Sequence, residues 1–297
     1  MLIRVRGWSI LGLLLTACGS GGEAGADAAP DAAASGDGGV DLPGFRPDRT
    51  GHILLTEASF AGPEIGLGAW LYDRVDPLPL ELIARTGDCA VYHRAEQGFC
   101  EPSCDDGLCT PDDACAPYPV AQSAGAIAVT GLHAPLSFQF GAYGYVVDSE
   151  LDIADELFDD GVAISASAPG AEVDGFTLTV SGVAPLETDV EYVELWDGVD
   201  AEVTWTPAGH GWIQLALRLG WHGSPATDVL LCETADDGSL IIPGELASAM
   251  PYFEGGLFQV PSSFGRFDRA VTGDGADSIE LFAASLRLIG FAHRYPD

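Results

Sequence analysis

The stretch from Trp212 to Trp221, WIQLALRLGW, is the clearest β-strand pattern in the chain and decides its fold class. Successive side chains of a strand point to opposite faces of its sheet, so alternating apolar residues predict a strand with a buried face. One predicted face carries Ile213, Leu215, Leu217, Leu219 and Trp221, and the other carries Gln214, Ala216 and Arg218.

Similar short strand patterns occur on both sides of this stretch, and Gly and Pro signals such as Ala61-Gly62-Pro63 separate them. The strand candidates span residues 52–60, 69–75, 80–94, 125–132, 136–147, 162–166, 176–183, 202–207, 229–233, 240–242, 257–260, 267–271 and 279–291. A single helix is predicted from Pro243 to Met250, because proline is favoured at the first helical position. Many short strands and almost no helix predict an all-β protein of antiparallel, Ig-like β-sandwiches.

A domain boundary is predicted near Ala184-Pro185-Leu186-Glu187, because a new series of strands with its own tryptophans follows it. The expected organisation is a first β-sandwich domain at residues 44–187, with a Cys-rich insert at 96–118, and a second at 188–297. The length of the chain fits two medium domains or one large one.

The N-terminus carries an export signal. Arg4 and Arg6 precede an apolar run that ends in small residues, which is the layout of a secretory signal peptide. This run is about half of the roughly 20 residues that cross a bilayer. Leu15-Thr16-Ala17-Cys18 resembles the bacterial lipobox, in which the cysteine is acylated and becomes the first residue after cleavage. We therefore expect a lipoprotein signal peptide at residues 1–17 and lipidation of Cys18; the alternative is an ordinary signal peptide with an unrelated cysteine.

Residues 18–43 are rich in Gly, Ala and Asp and have no large apolar residue before Val40, so a flexible tether is expected. Two or more acyl chains anchor a protein stably. Gly19, rather than Asp, follows the cysteine, which in better-studied bacteria indicates the outer membrane. The expected location is thus the outer membrane or cell surface, with the protein lipid-anchored and facing the periplasm or the exterior.

The chain is strongly acidic, with 45 Asp and Glu residues, 12 arginines, no lysine and a formal net charge of −33. Nucleic acid would repel such a protein, so nucleic-acid binding is not expected. The acidity is typical of cation binding or partner steering, or of a solvated surface suited to an external medium.

The cysteines other than Cys18 are even in number, which in an exported protein predicts three disulfides. Cys100, Cys104, Cys109 and Cys115 allow three pairings, of which Cys100 with Cys109 and Cys104 with Cys115 is preferred. Cys89 and Cys232 would then pair across the two domains. Zinc is the alternative for the cluster, although structural zinc sites usually show Cys-x2-Cys spacings.

The cysteine cluster, followed by Pro117-Tyr118-Pro119 and the segment from Ala124 to Leu132, is similar to a group of uncharacterised myxobacterial-type surface lipoproteins. The later segments Val203 to Pro207, Leu231-Cys232 and Asp237 to Pro243 share this resemblance. It implies a surface lipoprotein, and the family supplies no catalytic residues to carry over.

No cofactor is expected, and calcium is the one weak metal candidate. Asp274, Asp277 and Glu280 could supply part of a calcium site at a loop, but no stretch matches the EF-hand pattern. The alternative is a set of solvated turns in which Asp and Gly satisfy local backbone geometry.

No catalytic residue stands out, since nucleophile-elbow, zinc-protease and phosphate-loop motifs are all absent from the sequence. The alternative function is an extracytoplasmic hydrolase with a site built from loops. His210, His222, Ser224 and Asp228 are its candidate residues, because they lie close together in the sequence.

Four tryptophans, Trp196, Trp205, Trp212 and Trp221, crowd into a short region. Trp212 lies opposite the Ile213 face by parity and is the best candidate for an exposed aromatic platform that stacks on a ligand.

The expected function is a lipid-anchored cell-envelope protein that acts as a structural or ligand-binding module, not an enzyme. Its expected partners are the membrane, through the lipid, and a glycan or an envelope protein.

Overall fold

The computed structural model describes residues 48–59, 63–147, 156–208, 210–221, 226–251, 257–259, 261–273 and 275–294. The predicted signal peptide, Cys18 and the tether lie outside the described residues. Within them the fold is all-β and sandwich-like, which confirms the predicted fold class at this level.

The described residues form nineteen strands and one six-residue helix. The first strands are β1 (Gly51–Ser59), β2 (Pro63–Leu71), β3 (Leu80–Thr86), β4 (Cys89–Arg94), β5 (Gly107–Cys109), β6 (Cys115–Pro117), β7 (Ile127–Thr130), β8 (Leu136–Gly141), β9 (Gly144–Val147), β10 (Ala163–Ala168) and β11 (Phe176–Ser181). The remaining elements are β12 (Tyr192–Trp196), β13 (Ala201–Thr204), β14 (Trp212–Trp221), β15 (Ala226–Ala235), β16 (Ser239–Ile242), α1 (Gly244–Ala249), β17 (Leu257–Gln259), β18 (Ser262–Val271) and β19 (Ile279–Arg294).

A ten-stranded sheet runs in the order β2-β1-β19-β18-β14-β15-β4-β3, with β12 added to β19 and β17 added to β14. β14, the stretch that opened the sequence analysis, lies near its middle, between β18 and β15. The predicted antiparallel pairing holds for most neighbours, but β19 pairs in parallel with both β1 and β12. Parallel pairing needs a long connection, and β1 and β19 lie at opposite ends of the chain.

The ten-stranded sheet contains strands from both sides of the predicted boundary between residues 187 and 188. β1 to β4 precede that boundary, and β14, β15, β18 and β19 follow it. The two predicted domains therefore share one sheet, and their division into separate Ig-like units stays a prediction.

Two hydrophobic clusters lie on one side of this sheet, which we call the inner face. A five-stranded sheet, β11-β10-β7-β8-β9, packs against β1, β2 and the start of β19, and Ile53, Leu281 and Phe138 meet between the layers. The second cluster joins Leu215 and Leu217 of β14 to β12, β13, β16 and α1. Ile213, Leu215, Leu217 and Leu219 all belong to it, as their alternation predicts.

We call the opposite side of the ten-stranded sheet the open face, which on β14 carries Trp212, Gln214, Ala216 and Arg218. Two further clusters lie there, and their described members all come from strands of this same sheet. Ala216 and Phe267 are nevertheless fully buried. The side chains of the open face thus cover one another, which alternation alone does not predict.

Three disulfides are present, which confirms the expected disulfide framework. Cys100 pairs with Cys109 and Cys104 with Cys115, so two crossed bridges hold the insert around the small β5–β6 hairpin. Cys89 pairs with Cys232. These two cysteines face each other on the adjacent strands β4 and β15, so the bridge joins neighbours within one sheet.

Candidate functional site

The candidate site is the part of the open face around the first half of β14. The strand register places Phe267 of β18 beside Trp212, and Glu233 of β15 beside Gln214. On the far side of β18, β19 contributes Phe282 and Glu280 to the same face. Five neighbouring strands thus bring together residues that are up to 228 positions apart, from His52 to Glu280.

Trp212 lies on the open face, as its parity predicts, but it is half-buried rather than freely exposed. It packs against a cluster of Phe267, Ala284 and Leu286, together with Ala58 and Phe282. The rings of Phe267 and Phe282 stack with centroids 5.3 Å apart and planes at 19°. Trp212 therefore lies at the partly exposed edge of an aromatic group, and its neighbours in that group hold its side chain in place.

A buried polar network runs beside this aromatic group. Arg269 on β18 donates to both carboxylate oxygens of Glu233, at 2.6 and 3.1 Å, and its Nε contacts Glu280. Gln214 Nε2 donates to Glu233 Oε1 at 2.8 Å. His52 Nδ1 lies 3.3 Å from Glu280 Oε2, so the network crosses β15, β14, β18, β19 and β1.

The charged groups of this network stabilise one another's ionised forms. Burial alone would raise the pKa of Glu280, but the charges of Arg269, His52 and Arg49 and the hydrogen bond from His52 hold it below its ordinary value. Burial would likewise lower the pKa of Arg269, whereas Glu233 and Glu280 raise it. The guanidinium of Arg269 also lies over the Phe267 ring, 4.9 Å from its centroid, which joins the network to the aromatic group.

Sequence reasoning identified Trp212 but missed Arg269, Glu233, Gln214 and His52 as a group. The available signal was the presence of charged residues on otherwise apolar strands, because charged side chains are buried in a sheet only when they are paired. The pairing itself depends on which strands are neighbours, and alternation contains no information on that point.

The weak calcium candidate is not supported by the position of Glu280. Its carboxylate contacts Arg269 and His52, so it faces cations of the protein itself. Asp274 lies outside the described residues. Among the described residues, Cys100, Cys104 and Cys115 place three sulfur atoms within 4.8 Å of one another, but these sulfurs are already bonded in disulfides.

Of the hydrolase residues proposed from sequence, His210 and Asp228 are described, and they have different partners. His210 Nδ1 lies 3.7 Å from Asp160, and Asp228 instead contacts His93 on β4, with 2.7 Å between Oδ1 and Nδ1. His222 and Ser224 lie outside the described residues. His93 and Asp228 have the geometry of a histidine oriented by a carboxylate, but no hydroxyl group in the described part of the chain bonds to His93 Nε2.

The other tryptophans occupy different surroundings. Trp205 is buried in the inner core, and its Nε1 donates to Asp236 at 2.5 Å. Trp196 is 38 % exposed at the edge strand β12. The side chain of Trp221 lies outside the described residues.

The Cys-rich insert encloses a separate cleft of about 500 Å³, lined by Glu101, Asp105, Asp106 and Asp113 among others. These carboxylates are exposed and adopt turn positions, so they resemble a solvated acidic surface. We assign no ligand to this cleft.

No protein family matches the chain, and no curated protein matches it. A search of the helices in the described residues finds no segment that is long and apolar enough to cross a membrane.

Proposed function

We propose that this protein is a cell-envelope module, anchored through a lipid on Cys18, that binds a carbohydrate on the open face of its ten-stranded sheet around Trp212. The observation that carries the proposal is the half-buried position of Trp212 beside a buried polar network. Sugar rings stack on aromatic side chains, and their hydroxyl groups need donors and acceptors that are already held in position.

Three further features support a binding surface. Trp212 is ordered by its neighbours Phe267 and Phe282, so little side-chain entropy is lost when a ligand stacks on it. Glu233 and Gln214 lie next to it on the same face and offer polar groups at a fixed distance. The described apolar side chains that cluster on this face all come from strands of the sheet itself.

The Ig-like, two-domain organisation belongs to the same proposal. Two separate hydrophobic clusters support it, one centred on the five-stranded sheet and the other on β12, β13, β16 and α1. In this view each cluster is the core of one sandwich, and the ten-stranded sheet is a layer that both sandwiches share. The long β19 strand contributes to both clusters.

The anchoring and location rest on the sequence. The basic head, the short apolar run and Leu15-Thr16-Ala17-Cys18 support a lipidated N-terminus at the outer membrane or cell surface. Replacing Cys18 with Ser should release the processed protein from the membrane fraction. A Cys18→Ser protein that stays membrane-bound would contradict the anchor.

The binding test uses the chain from residue 18 onward with Cys18→Ser, titrated calorimetrically with glycans prepared from bacterial envelopes. Truncating a tryptophan at the centre of a binding surface costs about 2 kcal/mol or more, so Trp212→Ala should weaken binding by about 30-fold. Trp196→Ala is the control, because Trp196 is a solvent-exposed tryptophan that lies on the edge strand β12. Equal losses in the two variants, or no glycan binding by the parent protein, would reject the proposal.

A further inference from the structure

Arg218 is a buried cation on the open face that the proposed Trp212 surface does not use. It lies on β14, six positions along the strand from Trp212, which corresponds to roughly 20 Å. Its register neighbour is the apolar Val229, and only 6 % of its surface is exposed. A guanidinium in such a position needs an explanation, because burying an unpaired charge is unfavourable.

One end of the Arg218 guanidinium is fixed by the protein. Its Nη1 donates to the backbone oxygen of Pro261 at 3.2 Å and to Ser263 Oγ at 3.1 Å, which uses both hydrogens of that nitrogen. The amide of Arg218 also donates to Ser262 Oγ at 2.9 Å. These bonds hold both the strand and the side chain in place.

The other edge of the guanidinium has no acceptor among the described residues. Nε is buried without a hydrogen-bond partner, and Nη2 makes no hydrogen bond to any residue that the structure describes. Nε–H and Nη2–H point in parallel along one edge, which is the arrangement that binds two oxygens of a carboxylate, sulfate or phosphate. The edge best suited to an oxyanion is thus the one that the protein leaves unused.

Three other arginines with little exposure have acidic partners. Arg94, Arg266 and Arg269 lie 4.0, 2.8 and 2.6 Å from a carboxylate oxygen of Asp76, Asp236 and Glu233 respectively. No ion pair joins Arg218 to a carboxylate of the described residues, although the chain contains 45 acidic residues and 12 arginines. Burial lowers the pKa of Arg218 to about 10, without an opposing effect from an acidic neighbour.

We propose that Arg218 is the centre of an oxyanion-binding site on the open face, in which a carboxylate, sulfate or phosphate group accepts hydrogen bonds from Nε and Nη2. The bound anion supplies the negative charge that the fold does not place there. The group belongs either to an acidic sugar or to an inorganic or phosphorylated ligand, and these two sources share the same recognition chemistry. The proposal does not depend on carbohydrate binding at Trp212.

The test follows the Nε–H resonance of Arg218 by NMR in the Cys18→Ser chain from residue 18 onward, assigned by its loss in Arg218→Lys. Sodium sulfate, sodium phosphate and sodium glucuronate are titrated at constant ionic strength, with sodium chloride and neutral glucose as controls. We expect a saturable shift with at least one oxyanion and none with chloride or glucose. Saturation by glucuronate identifies a carboxylated sugar as the source, and saturation by sulfate or phosphate alone identifies the inorganic class.

Two variants complete the test. Arg218→Lys should weaken the same anion at least tenfold, because a lysine ammonium cannot donate two parallel hydrogen bonds. Arg294→Gln is the matched control and should bind as the parent does, since Arg294 is an exposed residue at the end of β19. Absence of a saturable shift with every oxyanion, or unchanged affinity in Arg218→Lys, would overturn the proposal and leave Arg218 as a donor to Pro261 and Ser263 only. If Arg218→Lys does not fold, sequential assignment of the parent identifies the Arg218 resonance, and its titration decides alone.

Discussion

Arg269 is the residue on which the buried network depends, because it contacts both Glu233 and Glu280. Arg269→Met would leave two buried carboxylates without their main cation. Breaking a buried ion pair in this way costs about 3–5 kcal/mol, so the free energy of unfolding should fall by that amount in a denaturant titration.

Arg294→Met is the control for this change, since Arg294 and its partner Glu194 are both 52 % exposed and lie 3.7 Å apart. Exposed pairs contribute about 1 kcal/mol or less, so this variant should be close to the parent. Similar losses in the two variants would mean that the network has no special role in stability.

Glu57 offers a single-residue test of how the stability of the fold depends on pH. It lies on β1, where its carboxylate accepts hydrogen bonds from the amides of Leu157 and Phe158. Burial raises the pKa of Glu57 above its ordinary value, and the opposing hydrogen bonds only partly offset this effect. Below its ordinary pKa of about 4.3 the carboxyl is neutral in both states, whereas at higher pH the unfolded chain ionises first, so ionisation favours unfolding.

Glu57→Gln should therefore gain stability relative to the parent as the pH rises from about 4 to about 7, because Gln keeps an acceptor oxygen without the charge. Thermal unfolding of both proteins at the two pH values measures this difference. A difference in unfolding free energy that stays constant with pH, or that changes in favour of the parent, would contradict the assignment.

Individual residues show how far alternation predicts burial. Ile213 and Leu215 are fully buried, as expected from their positions. Gln214 and Arg218 are buried as well, although their polarity placed them on the less buried face. Alternation describes one strand, whereas burial on the open face depends on long side chains from four or five neighbouring strands.

At the scale of single elements, most strands could be predicted, but the turn that divides residues 80–94 was missed. The apolar run from Leu80 to Arg94 was predicted as one strand, but it forms the hairpin of β3 and β4. Gly87 and Asp88 make the tight turn, with Gly87 in the left-handed region at φ +57°. A Gly-Asp pair between two apolar runs is a recognised hairpin signal, but the strand prediction did not use it.

Strand β12, in contrast, was not predicted from the sequence at all. Tyr192–Trp196 alternates between exposed and buried positions, but it is only five residues long and has two acidic neighbours. Its stability comes from pairing with β19 and from Val193 and Leu195 in the inner cluster. Such a segment is a strand because of where it packs, and its sequence alone gives a weak signal.

At the scale of the whole molecule, Cys89 and Cys232 close a loop of 143 residues, whereas the two bridges of the insert close loops of 9 and 11. A longer loop loses more freedom in the unfolded chain when it is cross-linked. Replacing Cys89 and Cys232 together with Ala should lower the free energy of unfolding by about 2–4 kcal/mol.

The matched control replaces Cys104 and Cys115 with Ser. These residues lie in the insert, at the surface and apart from the main hydrophobic clusters, so their loss should affect the insert locally. Circular dichroism during thermal unfolding should show a larger decrease in Tm for the Cys89 and Cys232 variant. A larger decrease for the insert variant would show that the insert, and not β4 and β15, limits unfolding.

The candidate site illustrates why the overall arrangement was harder to predict than its parts. Trp212 was identified from the alternation of residues within one strand. The three disulfides join the cysteine pairs that were preferred from the sequence. The network around Trp212 requires β1, β14, β15, β18 and β19 to be neighbours, and their order in the sheet differs from their order in the chain. Contacts of such long sequence separation leave no periodic signal.

The parallel pairing of β1 with β19 also determines when this protein can become folded. The first strand of the described chain finds its partner in the last, and β19 separates β1 from β18 in the sheet. A polypeptide that is still being synthesised lacks β19, so β1 can pair only with β2 until β19 follows. We therefore expect the ten-stranded sheet to be completed only once β19 is available, and the unpaired edge of β1 to be prone to aggregation until then.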